Sequence, residues 1–205
     1  MSANNMRRIR IRSRKTSGQK GVAAVEFSLV VGMFLVLVFG IIELARLMYM
    51  YNTLAEVTRA TARAATNIAF TDTDALNLAR RRAVFNEETG VLPFGSPITS
   101  QHIRIEYLYL ASTGGSRELQ PIPPGSMPAS PAQNRVNCMT DPNGISCVRA
   151  VQVRICREGN AAGACSPVTY QTLMPLISLP LPLPTSLTIV TAETLGYQTG
   201  DTPGS

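Results

Sequence analysis

The first 21 residues contain no aspartate, no glutamate and no aromatic side chain, and the whole 205-residue chain has a single histidine. Each absence removes a class of function. The leader holds seven basic residues (Arg7, Arg8, Arg10, Arg12, Arg14, Lys15 and Lys20), so the formal charge of +6 divides into +7 there and −1 over the rest. A basic arm can neutralise phosphates, but this one has no ring on which a base could stack, and it abuts a membrane-length apolar run. It therefore reads as the cytoplasmic flank of a membrane helix, with no nucleic-acid partner. The lone His102 opens an expected strand with no nucleophile motif around it, the acids are scattered, and no glycine-rich phosphate loop occurs. On these grounds the chain is not expected to be an enzyme, and no catalytic, cofactor-binding or metal-binding residue is assigned.

What is present begins with Phe27–Ile42, sixteen uncharged residues extended backwards by Val22–Val25 with only Glu26 interrupting. As one helix, 22–42 rises about 1.5 Å per residue to roughly 31 Å, close to the roughly 30 Å of a bilayer core. No second stretch compares with it, which predicts a single-pass chain with its N-terminus inside and its remainder exported. An ordinary secretory signal also has a basic flank and an apolar core. Here the run exceeds an h-region of about 7 to 15 residues and lacks a small-x-small cleavage site, so a retained helix is expected. A carboxylate at the centre of such a helix costs about 2.5 to 3.5 kcal/mol, and less near an interface. Glu26 lies close enough to the head groups to stay hydrated. Cleavage between Gly21 and Val22 gives it a second role, because the new α-amino group at Val22 would lie one helical turn away and compensate the charge within one chain or between packed neighbours.

A basic leader ending in Gly, four apolar residues, Glu, Phe and then an apolar helix is similar to the prepilin-peptidase site of type IV pilin-like proteins. The stretch GVAAVEFSLVVGMFLVLVFGIIELARLMYMYNTLAEVTRATARAA more closely resembles the TadE-like pseudopilins of the Flp (tight adherence) pilus system. The resemblance covers about 45 residues strongly and the remainder loosely. It implies processing at Gly21–Val22 by a prepilin peptidase, with Glu26 as the fifth mature residue guiding assembly. It also implies other pilin or pseudopilin subunits, Tad inner-membrane assembly proteins and the lipid bilayer as partners. Gly32 stands where family members often carry Pro, which puts a firm kink in doubt.

Beyond the span, apolar or small residues recur at helical spacing from Leu44 to Ala69, which predicts a continuous helix with 22–42 in the membrane and 43–70 outside it. The exported head is expected over 71–205. Thr71–Asp74 reads as a helix cap rather than a metal site, followed by a short helix over 73–88 whose Arg80, Arg81 and Arg82 form a solvated face. Period-two patterning predicts strands near 102–110, 149–156, 168–173 and 186–195, with an irregular loop over 114–133 and an extended connector at Pro175, Pro180, Pro182 and Pro184. The expected fold is α+β and pilin-like, a long N-terminal helix packed on a small antiparallel sheet.

The four cysteines, Cys138, Cys147, Cys156 and Cys165, are nine residues apart, and all lie on the expected exported side. An oxidising periplasm favours disulfides, and the wide spacing does not suit zinc. Of three possible pairings, the intervening turns favour Cys138 with Cys147 and Cys156 with Cys165, each worth about 3 kcal/mol in the chain-entropy account. The functional expectation is a structural, pilin-like minor subunit of a Flp/Tad-type pilus or secretion apparatus. It would sit in the bacterial inner membrane with a periplasmic head, or be incorporated in an extracellular pilus. The alternative is an uncleaved, membrane-anchored periplasmic scaffold or binding protein of the same machinery.

Overall fold

The computed structural model describes residues 20–159, 164–173 and 180–202. The basic leader up to residue 19, the core of the 159–163 turn and Pro175 lie outside the described residues. The chain divides into two compact units, Met1–Ile42 and Glu43–Ser205.

The first unit, where described, is helical throughout and belongs to α1 (Lys20–Ala65). Its side chains are exposed, with Val31 and Val38 half-buried. It carries the one helix among the described residues that is long and apolar enough to cross a membrane.

The second unit contains the rest of α1, α2 (Thr73–Ala83), α3 (Pro131–Thr140) and the strands β1 (Ile103–Thr113), β2 (Ser116–Pro121), β3 (Ala150–Ile155) and β4 (Thr188–Thr191). The strands form one antiparallel sheet in the order β2-β1-β3-β4, so the architecture is α+β. On one face, Ile103, Ile105 and Tyr107 of β1 stand opposite Ile155, Val153 and Val151 of β3. The core joins these valines and isoleucines to Met50, Leu54, Val57, Ala62 and Ala65 from α1. Each large apolar side chain so enclosed contributes about 1.5–3 kcal/mol. On the other face Glu106 accepts hydrogen bonds from Arg154 and Gln152.

Several elements differ from the sequence expectation, each for a local reason. α1 ends at Ala65 rather than near residue 70, because the Thr66 hydroxyl and the Asn67 amide both donate to the Arg63 carbonyl while Leu195 N–H takes the Thr66 carbonyl. These side chains and the returning chain compete for carbonyls that a continuing helix would use. α2 starts where Asp72 caps it, its Oδ1 accepting from Ala75 N–H at 2.9 Å, but stops at Ala83 and not near 88. Phe85, at φ 59°, adopts the left-handed conformation of a helix terminus and donates to the Arg82 carbonyl.

The stretch 114–133 is not an irregular loop throughout. Gly114 and Gly115 both have positive φ, 59° and 88°, which is what a two-residue hairpin turn demands, and β2 follows at once. Downstream, Ser130 caps α3 through Gln133 N–H at 3.2 Å, with Pro131 in the first turn. The strand expected at 168–173 is absent. One bridge forms between Thr169 and Pro182, flanked by hydrogen bonds from Tyr170 to Leu181 and from Leu183 to Val168. Pro180, Pro182 and Pro184 have no N–H to donate, so no ladder extends from it.

Candidate functional site

The N-terminal junction is helical: Gly21, Val22 and Glu26 all lie in α1. Val22 and Glu26 are four residues apart and share a helix face. Nothing lies within 4 Å of where a Gly21 side chain would begin, and Val22 is 55 % exposed. The Glu26 carboxylate is exposed and makes no hydrogen bond or ion pair among the described residues. Such a carboxylate, amid exposed apolar side chains, is available to a charge that another group supplies.

Between five and six turns further along α1, at Arg46, the chemistry is different. Arg46 is only 9 % exposed because it opens the stripe that continues through Met50, Leu54, Val57, Thr61 and Ala65 into the core. A guanidinium in that position needs partners, and the head provides them. Its Nε donates to the Phe94 carbonyl at 2.8 Å, Nη2 to the Ser96 carbonyl at 2.9 Å and Nη1 to the Gln171 carbonyl at 2.6 Å. Nη1 also reaches the Tyr170 hydroxyl at 3.2 Å, and the guanidinium carbon lies 5.1 Å from the centre of the Tyr170 ring. Glu43 is 3.6 Å from Arg46, accepts from the Tyr170 hydroxyl and faces the Leu173 N–H at 3.3 Å. Burial, reinforced by donation to Glu43, holds the Tyr170 hydroxyl above its usual pKa despite the opposing charge of Arg46, so it remains a donor.

Two more tyrosines extend this clamp. Tyr49 donates to the Pro93 carbonyl at 3.1 Å and Tyr51 to the Pro182 carbonyl at 3.4 Å. One end of the head is thus hydrogen-bonded to α1 by four successive polar side chains. The sequence reading passed over them because Glu43 and Arg46 look like an ordinary surface pair three residues apart. The signal was present all the same, since Arg46 falls in register with Met50 and Leu54, where a charge must be buried.

The remaining singled-out residues play local parts. Cys138 on α3 is bonded to Cys147, and Cys156 at the end of β3 to Cys165, with Cα separations of 4.8 and 4.9 Å. Cys147 and Cys156 are buried, and next to Cys147 the Val148 N–H donates to Asn134 Oδ1 of α3 at 2.8 Å. His102 is buried at the start of β1, where its Nδ1 accepts from Thr99 N–H at 3.1 Å and caps a short turn. Burial lowers its pKa, with Glu158, 3.4 Å away, opposing. Arg82 pairs with Glu87, while Arg80 packs near the half-buried Tyr107, whose phenol is pushed up to about 12 by desolvation. Among the described residues no three His, Cys, Asp or Glu side chains come together as a metal site would require.

From Gly21 to Ile42 α1 is apolar and largely exposed, and Glu26 within it has no partner among the described residues. Residues 21–63 match the TadE-like protein family. The match covers 43 of the 205 residues; it includes Glu26, Glu43 and Arg46 and stops within α1. Searches of curated proteins and of solved structures find no match, so the head beyond the TadE-like segment is described from its own structure alone.

Proposed function

We propose that the chain is a pilin-like minor subunit of a Flp/Tad-type pilus or secretion apparatus, without catalytic activity of its own. A prepilin peptidase would process it between Gly21 and Val22. The observation that carries this reading is the TadE-like match beginning at Gly21, together with a helix whose apolar side chains are exposed from Val22 to Ile42.

The mechanism follows from charge and solvation. Before cleavage, the seven leader cations hold the N-terminus on the cytoplasmic side of the inner membrane. The head folds in the periplasm, where an oxidising environment sustains its two disulfides. Cleavage removes those cations and creates an α-amino group at Val22, one turn from Glu26. Paired within the chain or across neighbouring subunits, amine and carboxylate lower the cost of keeping Glu26 out of water. The exposed side chains Phe27, Met33 and Phe34 then exchange lipid for the helices of other pilin or pseudopilin subunits, positioned by Tad inner-membrane assembly proteins.

The test is the mature N-terminus, determined by sequencing the protein from cells with and without the prepilin peptidase. A chain starting at Val22 only when the peptidase is present is expected. An intact leader in both strains overturns the processed-subunit reading in favour of an uncleaved periplasmic scaffold anchored by the same helix.

A further inference from the structure

Within the Glu43–Ser205 unit, a pocket of about 240 Å³ is lined by Arg80 of α2, by Ser100 and Gln101, and by Ile103, Arg104 and Ile105 of β1. It is smaller than the roughly 300 Å³ at which sites for drug-sized ligands begin. β2 pairs with β1 only from Leu108 onward, which leaves the first half of β1 with an open edge beside this pocket.

The lining contains two arginines and no acid. Arg80 Nη1 donates to Asn77 Oδ1 at 2.6 Å, but its Nε is buried without a partner, and burial holds its pKa below the ordinary arginine value. No carboxylate pairs with it among the described residues. Arg104 donates to the Ala164 carbonyl and adds a second positive charge. Glu158, the acid that comes within 3.4 Å of His102, is taken by the Thr99 hydroxyl at 3.0 Å. A half-buried cation with no counter-ion calls for an anion.

The other groups narrow the choice of anion. Ser100 N–H donates to the Gly90 carbonyl at 2.7 Å and Gln101 N–H to Thr99 Oγ1 at 3.2 Å, which fixes the backbone. The Ser100 hydroxyl and the Gln101 side-chain amide have no hydrogen-bond partner among the described residues and can donate to a ligand. On β1, the His102 and Leu108 carbonyls accept from Cys156 and Arg149 on the β3 side. Main-chain groups alternate along a strand, so Ile103 and Ile105 turn their carbonyls, and Ile105 its N–H, to the open edge. The pocket thus offers donors together with carbonyl acceptors. A carboxylate or a sulfate meets the donors alone, whereas hydrogen phosphate carries an O–H as well as anionic oxygens and meets both.

We propose that this pocket binds one hydrogen phosphate ion, with Arg80 and Ser100 donating to its oxygens and its own O–H donating to an open carbonyl of β1. Bound there, the ion ties α2 to the edge of the sheet.

The test is isothermal titration calorimetry of the detergent-solubilised full chain at neutral pH with sodium phosphate, sodium sulfate and sodium acetate, ionic strength being held constant with sodium chloride. Wild-type protein is expected to bind phosphate saturably at one site, and more tightly than sulfate or acetate. Arg80→Gln should weaken phosphate binding by about tenfold or more, and Ser100→Ala by about threefold. Arg80→Lys should fall between wild type and Arg80→Gln, since it keeps the charge without the fork of donors. Arg117→Gln, at an exposed position on β2 outside the pocket, should leave it unchanged and controls for general loss of charge.

No saturable phosphate binding, sulfate or acetate bound as tightly as phosphate, or Arg80→Gln no weaker than Arg117→Gln would each overturn the proposal. Circular dichroism checks that every variant is folded. Where Arg80→Gln is not, Arg80→Lys and Ser100→Ala decide, and unchanged affinity in both overturns the site.

Discussion

Between Gly21 and Ile42 the chain carries Phe27, Met33 and Val36 at 70, 78 and 70 % exposure, whereas between Glu43 and Ala65 the same helix buries Met50, Leu54 and Val57 completely. Residue type alone does not account for this, since both stretches are apolar at helical spacing. The difference lies in what the rest of the chain supplies. The second stretch has β3, β1 and the loops of the head to pack against, and each of its polar intruders has a partner. The first exposes its apolar surface and a Glu26 that has no partner among the described residues. One stretch is covered within the chain, and the other is the surface that the proposed assembly would cover.

Four experiments test that division, beginning with the largest effect. Glu26→Ala should abolish or sharply reduce pilus assembly while leaving peptidase cleavage and the melting of the head unchanged; normal piliation would remove the charge-compensation argument. At the clamp, Arg46→Ala should cost the head about 3–5 kcal/mol, because Glu43 and three carbonyls lose a buried cation. Arg46→Lys should recover only part of that loss, since a single ammonium cannot replace a planar fork of donors. Denaturation of the detergent-solubilised chain measures both.

The third experiment compares the two stretches directly. Leu54→Ala, at a fully buried site, should lower stability by about 2–5 kcal/mol, and Phe34→Ala, at an exposed one, should leave the head's unfolding midpoint unchanged. Equal effects would mean that the two stretches do not differ as described. The smallest effect concerns pH. Burial lowers the folded pKa of His102 below that of the unfolded chain, so the unfolded state binds the proton more readily. His102 contributes fully above about pH 6.5, its unfolded pKa, and stability should fall as pH drops from there through the lowered folded value. His102→Gln should flatten that part of the curve, and an unchanged slope would assign it to other groups.

How much of this could be read beforehand depends on whether the deciding interaction is local. The apolar run, Glu26 and the alternation in Ile103–Leu110 and Ala150–Ile155 follow from periodicity. Asp72 as a cap and the turn-bounded cysteines follow from near neighbours. Two local signals were nevertheless passed over. Gly114–Gly115 is a hairpin turn hidden in a segment whose overall composition reads as loop, and Ser130–Pro131 is a helix start. The strand expected at 168–173 failed through its partner, because the proline spacing at 180, 182 and 184 removes the donors that a ladder needs. Of the clamp, the burial of Arg46 could be read from its register with Met50 and Leu54, but its partners could not. Its partners are backbone carbonyls at 94, 96 and 171, and side-chain patterning carries no information about where a distant carbonyl will point.

The outer strand β2 has one further effect. Its side chains Arg117 and Glu118 are exposed, and it ends at Pro121, while the opposite edge, β4, is only four residues long. Short or charged edges resist pairing with another sheet. Crowded copies of this head therefore have little tendency to stitch together strand by strand. The heads can stand close together at high density without fusing into a cross-β aggregate.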